Sequence, residues 1–189
     1  MTFSEQKKNF LSKPDKSGIG GIDEDIRKLV NLINKSSCYY TTSSCAGRIV
    51  LMKEIGKKQE NAFIFVTHRK VSFDQIKTAF NHSKTIEMIY LKEEPCILHV
   101  ACRTPANSEK LVNVARQCGW KKSGIISLKK DKVMAELVST ERVETPIANK
   151  GRFLISDDYL EVLVKECNQK LSLTRQKIKK LENGFRKLS

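Results

Sequence analysis

Phe65-Val66-Thr67-His68-Arg69 and His99-Val100-Ala101-Cys102-Arg103 run in parallel through the sequence. Each closes an apolar run that reads as a strand, Ala62–Thr67 in one case and Cys96–Cys102 in the other. Each is followed by a stretch with helical spacing, about 72–81 and 108–118, and then by another apolar run, about 85–91 and 124–128. Aligned, Val66 falls on Val100 and Arg69 on Arg103. Two strand–helix–strand units, at 62–92 and 96–129, each have a further strand beside them, at 49–52 and 133–138. This pattern predicts an α+β fold: one domain, with a mixed sheet built from the duplicated unit and helices packed on it.

Moving outward, residues 1–12 suit a short amphipathic helix ended by Pro14, and residues 15–21 form a glycine-rich turn. Ile22, Ile26, Leu29, Val30 and Ile33 make one stripe of a helix over about 22–34. Asp23, Glu24 and Asp25 fill its first turn, where the helix dipole favours negative charge. Gly18-x-Gly20 is not a dinucleotide fingerprint, because no strand precedes it and the third glycine is misplaced, so a non-Rossmann fold is expected. Gly56-Lys57-Lys58, Glu93-Glu94-Pro95 and Gly119 read as turns. A core over 14–155 then gives way to a basic helix over 156–187 with Ser156 as N-cap. Leu160, Val164, Cys167, Leu171, Thr174, Ile178, Leu181 and Phe185 form an a/d seam that packs on the body or pairs two helices, with a monomer favoured.

The 189 residues carry a formal charge of +14, which favours a nucleic-acid partner over a membrane surface. Hydrophobic residues at 40% and charged ones at 30% describe a globular chain, with no run approaching the roughly 20 apolar residues of a membrane span. The first residues lack a signal-peptide core, and six irregularly spaced cysteines without C-x-x-C suit reduced thiols, so a cytoplasmic location is expected. Cys96-x-x-His99-x-x-Cys102 imitates a zinc site, but strand alternation sends His99 to the face opposite both cysteines, so no metal is expected.

Thr41-Thr42-Ser43-Ser44-Cys45-Ala46-Gly47-Arg48 gathers hydroxyls, approachable backbone and one guanidinium just before Ile49–Met52. It reads either as a cradle for a polar or anionic ligand or as a Ser/Thr-rich turn entering a strand. No Walker loop, nucleophile elbow or H-E-x-x-H motif is present.

In order along the chain stand Asp15-Lys16-Ser17, Gly20, Asp23, Thr41-Thr42-Ser43-Ser44-Cys45-x-Gly47-Arg48, His68 and Glu94-Pro95-x-x-x-His99-Val100-x-Cys102-Arg103. Gly119-x-x-x-Ser123-Gly124-Ile125, Pro146 and Asn168 complete the array. It resembles the tRNA wybutosine-synthesizing protein 3 family over about residues 14–175. The family more often has serine where this chain has Ala46, so any role of that hydroxyl is absent or falls to Ser43 or Ser44.

The resemblance implies an S-adenosylmethionine-dependent methyltransferase with a non-Rossmann fold. Its substrate would be the tricyclic wybutosine-precursor guanosine beside the anticodon of phenylalanine tRNA, methylated on ring nitrogen N4. On that reading the catalytic candidates are Asp23, Ser44, His68 and His99. Those for the cofactor are Ser43, Ser44, Cys45, Gly47, His99, Ser123 and Gly124. Lys16, Arg48, Arg69 and Arg103 are candidates for tRNA phosphates, and Tyr39, Tyr40 or Trp120 either stack on a flipped base or belong to the core. Two other classes compete. One is a non-catalytic RNA-binding module using the basic surface; the other is a hydrolase pairing Cys45 or Ser44 with His68 or His99.

Overall fold

The strand–helix–strand unit does recur, but in two separate antiparallel sheets and not in one mixed sheet. The computed structural model describes residues 1–13, 21–54 and 62–188. The expected turn at 56–58 and, apart from Gly21, the one at 15–21 with its Lys16 lie outside the described residues. The elements in order are α1 (Phe3–Leu11), α2 (Glu24–Lys35), β1 (Tyr39–Cys45), β2 (Arg48–Lys53), β3 (Phe63–Thr67), α3 (Phe73–Ser83) and β4 (Ile89–Glu94). They continue with β5 (Ile97–Cys102), α4 (Pro105–Gln117), β6 (Gly124–Lys129), β7 (Lys132–Val138), β8 (Val143–Asn149), β9 (Arg152–Phe153) and α5 (Asp157–Arg186).

The chain divides into two compact units. The first comprises Met1–Ala46, Cys96–Thr140 and Thr174–Ser189, with the sheet β1-β5-β7-β6. The second comprises Gly47–Pro95 and Glu141–Leu173, with the sheet β3-β2-β4-β8-β9. In the first, β5 and β6 both pair antiparallel with β7, so they run parallel to each other on either side of it. In the second, β3 and β4 flank β2 in the same way. Each unit is thus a split β–α–β arrangement, β5–α4–β6 and β3–α3–β4. The intervening strand follows the unit in one case and precedes it in the other. Each repeat has its own central strand, β7 or β2, and lies in its own sheet.

Local chemistry sets the helix starts. Thr2 and Ser72 each close a reciprocal capping box with Glu5 and Gln75, and Thr104 caps α4 ahead of Pro105. Ser156 caps α5 as expected, its Oγ accepting from the Tyr159 N–H at 3.3 Å. The seam of α5 is buried within the chain. Leu160, Val164, Cys167 and Leu171 join Ile49, Leu51, Ile76 and Leu91 in the second unit's core. Ile178, Leu181 and Phe185 join Leu29, Ile33, Leu98 and Trp120 in the first.

Three strands have no counterpart in the periodicity: β1, β8 and the two-residue β9. Residues 39–45 form a strand and not a turn: Tyr-Tyr-Thr-Thr-Ser-Ser-Cys lacks an apolar alternation, yet six of its residues pair with β5. Val143–Asn149 contains Pro146, which is tolerated beside a register shift opposite Ile89 and Tyr90. Strand β4 also starts later than the apolar run suggests and continues through Lys92–Glu94, because β2 supplies partners as far as Arg48. No helix among the described residues is long and apolar enough to cross a membrane.

Candidate functional site

Strand β1 ends in the first unit with Ser43, Ser44 and Cys45 opposite His99, Leu98 and Ile97 of β5. A register shift between Thr41 and Ser43 resets the alternation, so Ser43 shares a face with His99 while Ser44 sits opposite core-facing Leu98. His99 in turn faces Glu136 of β7, and Glu136 faces Gly124 of β6. Ser43, His99, Glu136 and Gly124 therefore form one row across all four strands, on the face turned away from the main core.

The row is hydrogen-bonded. Ser43 Oγ lies 3.0 Å from His99 Nδ1, and His99 Nε2 lies 2.9 Å from Glu136 Oε1. The side chains of His99 and Glu136 are 35% and 36% exposed, so a ligand can reach them. A Cβ on Gly124 would meet nothing within 4 Å, which leaves open space beside Glu136. Farther along the same face, Phe3 of α1 covers Tyr40, Ala101 and Met134.

On the other side of β1, Asp23 stands at the start of α2. Its carboxylate does not cap that helix; Oδ2 accepts from the Ala46 N–H at 2.7 Å. Arg175 donates to the Ala46 carbonyl and pairs with Asp25 at 2.8 Å. Both backbone groups of Ala46 are thus gripped by charged side chains. Its methyl is fully buried in the core, so this position contributes through its main chain. Burial, followed by the charges of Cys45 and Asp23, pushes the Cys96 thiol well up; Arg175 opposes the shift.

The second unit holds the remaining candidates. Gly47 has φ +87°, a conformation that favours glycine, and its carbonyl lies 3.1 Å from His68 Nδ1. Arg48 is tied to Glu94 at 2.6 Å and lies over the Phe63 ring, while Arg69 is exposed.

Several candidates have internal partners. Ser123 is buried, donating to the Trp120 carbonyl at 2.7 Å and accepting from the Val138 N–H at 3.1 Å, so it is committed to the β6–β7 hairpin. Arg103 donates to the Ser37 carbonyl and lies over Phe3, which anchors α1. Trp120 is fully buried and donates to the Lys177 carbonyl at 3.1 Å. Tyr39 donates to the Asn107 carbonyl, and burial pushes its hydroxyl up to about 12. Tyr40 packs against Phe3 and Phe10. None of the three aromatics presents a ring for base stacking. The imitation zinc trio separates as alternation requires, with Cys96 and Cys102 in the core and His99 on the opposite face.

The periodicity did not single out Glu136 or the contacts of Arg175. Glu136 does have a signal in hindsight: it is the one charged residue inside Val133–Val138, on the face opposite Ala135 and Leu137. Arg175 has none, being one of many cations on α5.

The sequence profile described as Methyltransferase TYW3 matches residues 5–187. The tRNA wybutosine-synthesizing protein 3 homolog of Xenopus laevis is 35% identical over 190 residues, covering 98% of this chain and 75% of that protein. The tRNA(Phe) 7-((3-amino-3-carboxypropyl)-4-demethylwyosine(37)-N(4))-methyltransferase 1 of Pyrococcus furiosus is 36% identical over 192 residues, covering 98% and 97%. The solved structure of the PH1069 protein from Pyrococcus horikoshii superposes with a TM-score of 0.89 at 32% identity, covering 100% of this chain and 96% of that one. Matched along nearly its whole length in profile, sequence and fold, this chain belongs to the Methyltransferase TYW3 family.

Proposed function

We propose that this protein transfers a methyl group from S-adenosylmethionine to ring nitrogen N4 of the tricyclic guanosine derivative beside the anticodon of phenylalanine tRNA. The observation that carries the reading is the accessible Ser43–His99–Glu136 row at the end of β1, in a chain of this family. Methylating a ring N–H requires the nitrogen in line with the methyl group and an acceptor for one proton. Positioning supplies most of the acceleration, and general base catalysis supplies about 10²–10⁴-fold.

The donor set at the end of β1 fits such a cofactor. S-Adenosylmethionine supplies a methyl group on a positively charged sulfur, and its amino-acid end and ribose need hydrogen-bond donors and acceptors. The Ser43 and Ser44 hydroxyls, one exposed and one half-buried, both donate and accept at β1's end. The clamp of Ala46 by Asp23 and Arg175 holds that end rigid, so these groups need little reorganisation on binding. Lys121, Lys122, Lys129 and Lys130 lie exposed at the two ends of β6, the strand next to Glu136, where they suit RNA phosphates.

The test is a methyl-transfer assay on phenylalanine tRNA from cells lacking the enzyme, read by mass spectrometry of digested nucleosides. A one-methyl gain on the tricyclic base that is lost with Ser44→Ala or Asp23→Ala supports the reading. Tight tRNA binding without any methyl gain would make the protein an RNA-binding module instead.

A further inference from the structure

A carboxylate accepts hydrogen bonds and does not donate them, so the 2.9 Å contact with Glu136 Oε1 requires His99 to carry its hydrogen on Nε2. In the neutral ring, Nδ1 is then the bare nitrogen, and it faces Ser43 Oγ at 3.0 Å. Ser43 must therefore donate to His99, which turns the lone pairs of its exposed oxygen outward. The direction of both hydrogens is set from the Glu136 end. The backbone holds the geometry, because Ser43, His99 and Glu136 are directly opposed pairs on neighbouring strands.

We propose that Ser43, His99 and Glu136 form a proton relay in which Ser43 Oγ removes the proton from the acceptor ring nitrogen and Glu136 fixes the tautomer that makes this possible. The assignment rests on the methyl-transfer reading above. The ring nitrogen's electron pair forms the new N–CH₃ bond, and the carbon–sulfur bond breaks with its pair left on sulfur. The ring N–H proton passes to Ser43 Oγ as the serine's own hydrogen moves to His99 Nδ1. The imidazolium so formed is balanced by the Glu136 carboxylate 2.9 Å away and later loses its proton to water. Ser43 touches the substrate and is catalytic; His99 stores the proton, and Glu136 is a positioning residue. The order matters chemically: a hydroxyl alone is a poor base, and it becomes one only with a bare imidazole nitrogen behind it.

Two readouts test the relay in the full-length protein. The first is long-range ¹H–¹⁵N NMR of the histidine rings, of which the chain has three, with His99 assigned by its disappearance in His99→Asn. The wild type should show His99 protonated on Nε2. Glu136→Gln, whose amide both donates and accepts, should shift it toward a mixture of tautomers. The second is the methyl-transfer rate at saturating tRNA. Ser43→Ala, His99→Asn and Glu136→Gln should each lower kcat at least 100-fold with KM for tRNA unchanged, and Ser43→Ala/His99→Asn should be no slower than the slower single variant. Circular dichroism confirms that each variant is folded. Full activity in folded Glu136→Gln or Ser43→Ala, multiplicative losses in the double variant, or His99 protonated on Nδ1 in the wild type overturns the relay while leaving methyl transfer intact. A wild-type protein that does not methylate its tRNA overturns both.

Discussion

Asn168 grips Val71 by both of its backbone groups: Oδ1 accepts from the Val71 N–H at 2.9 Å, and Nδ2 donates to the Val71 carbonyl at 2.8 Å. The contact links the segment between β3 and α3 to α5, 97 positions later in the chain. It gives Asn168, one of the residues in the family array, a structural task. Truncation to alanine leaves a donor and an acceptor of a buried residue unmatched, each worth about 1–3 kcal/mol. Asn168→Ala should therefore lower unfolding stability by roughly 2–4 kcal/mol in a urea titration, and Asn168→Asp by less, since it keeps the acceptor. A loss below about 0.5 kcal/mol for the alanine variant would contradict the clip.

Trp120 is the only tryptophan and is fully buried. Its emission should be blue-shifted in the native protein, and addition of tRNA should leave both wavelength and intensity unchanged. Strong quenching by tRNA would return this ring to the list of base-stacking groups. Trp120→Phe should cost about 2–4 kcal/mol, from lost volume and from the lost hydrogen bond to the Lys177 carbonyl.

The thiols make the protein sensitive to alkali. Burial pushes Cys102 and Cys167 up to about 12, from an ordinary value near 9, and Cys96 rises too. The folded state keeps these protons while the unfolded chain begins to lose them near pH 9. Their contribution to stability is complete below that pH and declines as pH rises toward 12. The urea midpoint should fall across this window, and Cys102→Ala/Cys167→Ala should flatten the fall although it lowers stability at neutral pH. A thiol-specific dye should leave the buried Cys96, Cys102 and Cys167 unreacted in the native protein.

Lys129 and Lys130 follow exposed Leu128 at the end of β6. If both neutralise tRNA phosphates, Lys129→Gln/Lys130→Gln should weaken tRNA binding and reduce the slope of log affinity against log salt by about 1.4–1.8. Unchanged slope with unchanged affinity would remove this hairpin from the RNA-binding surface.

The apolar periodicity was enough to place most helices and strands, because burial on one face leaves a trace every two residues in a strand and every three or four in a helix. The two strand–helix–strand units and the capped, seamed α5 were legible for that reason. Strand β1 was not. Its hydroxyl-rich residues carry no alternation, and they form a strand because β5 offers a partner edge. The separation into two sheets was equally hidden, since sequence order does not say whether β2 and β7 serve one sheet or two.

For the site, the sequence by itself named Ser43 and His99, gave Asp23 and Gly124 as candidates, and through its motif array pointed to the family. The tertiary structure joined them. It set Ser43 against His99 across 56 positions, brought in Glu136, and turned the Asp23 carboxylate onto the Ala46 N–H. It also gave Ser123, Arg103, Tyr39, Tyr40 and Trp120 internal partners and buried all of these but Arg103. The physical reason is one of range. Helix and strand patterns are properties of neighbours along the chain, whereas a hydrogen-bonded row across a sheet depends on strand register, which only the folded chain fixes.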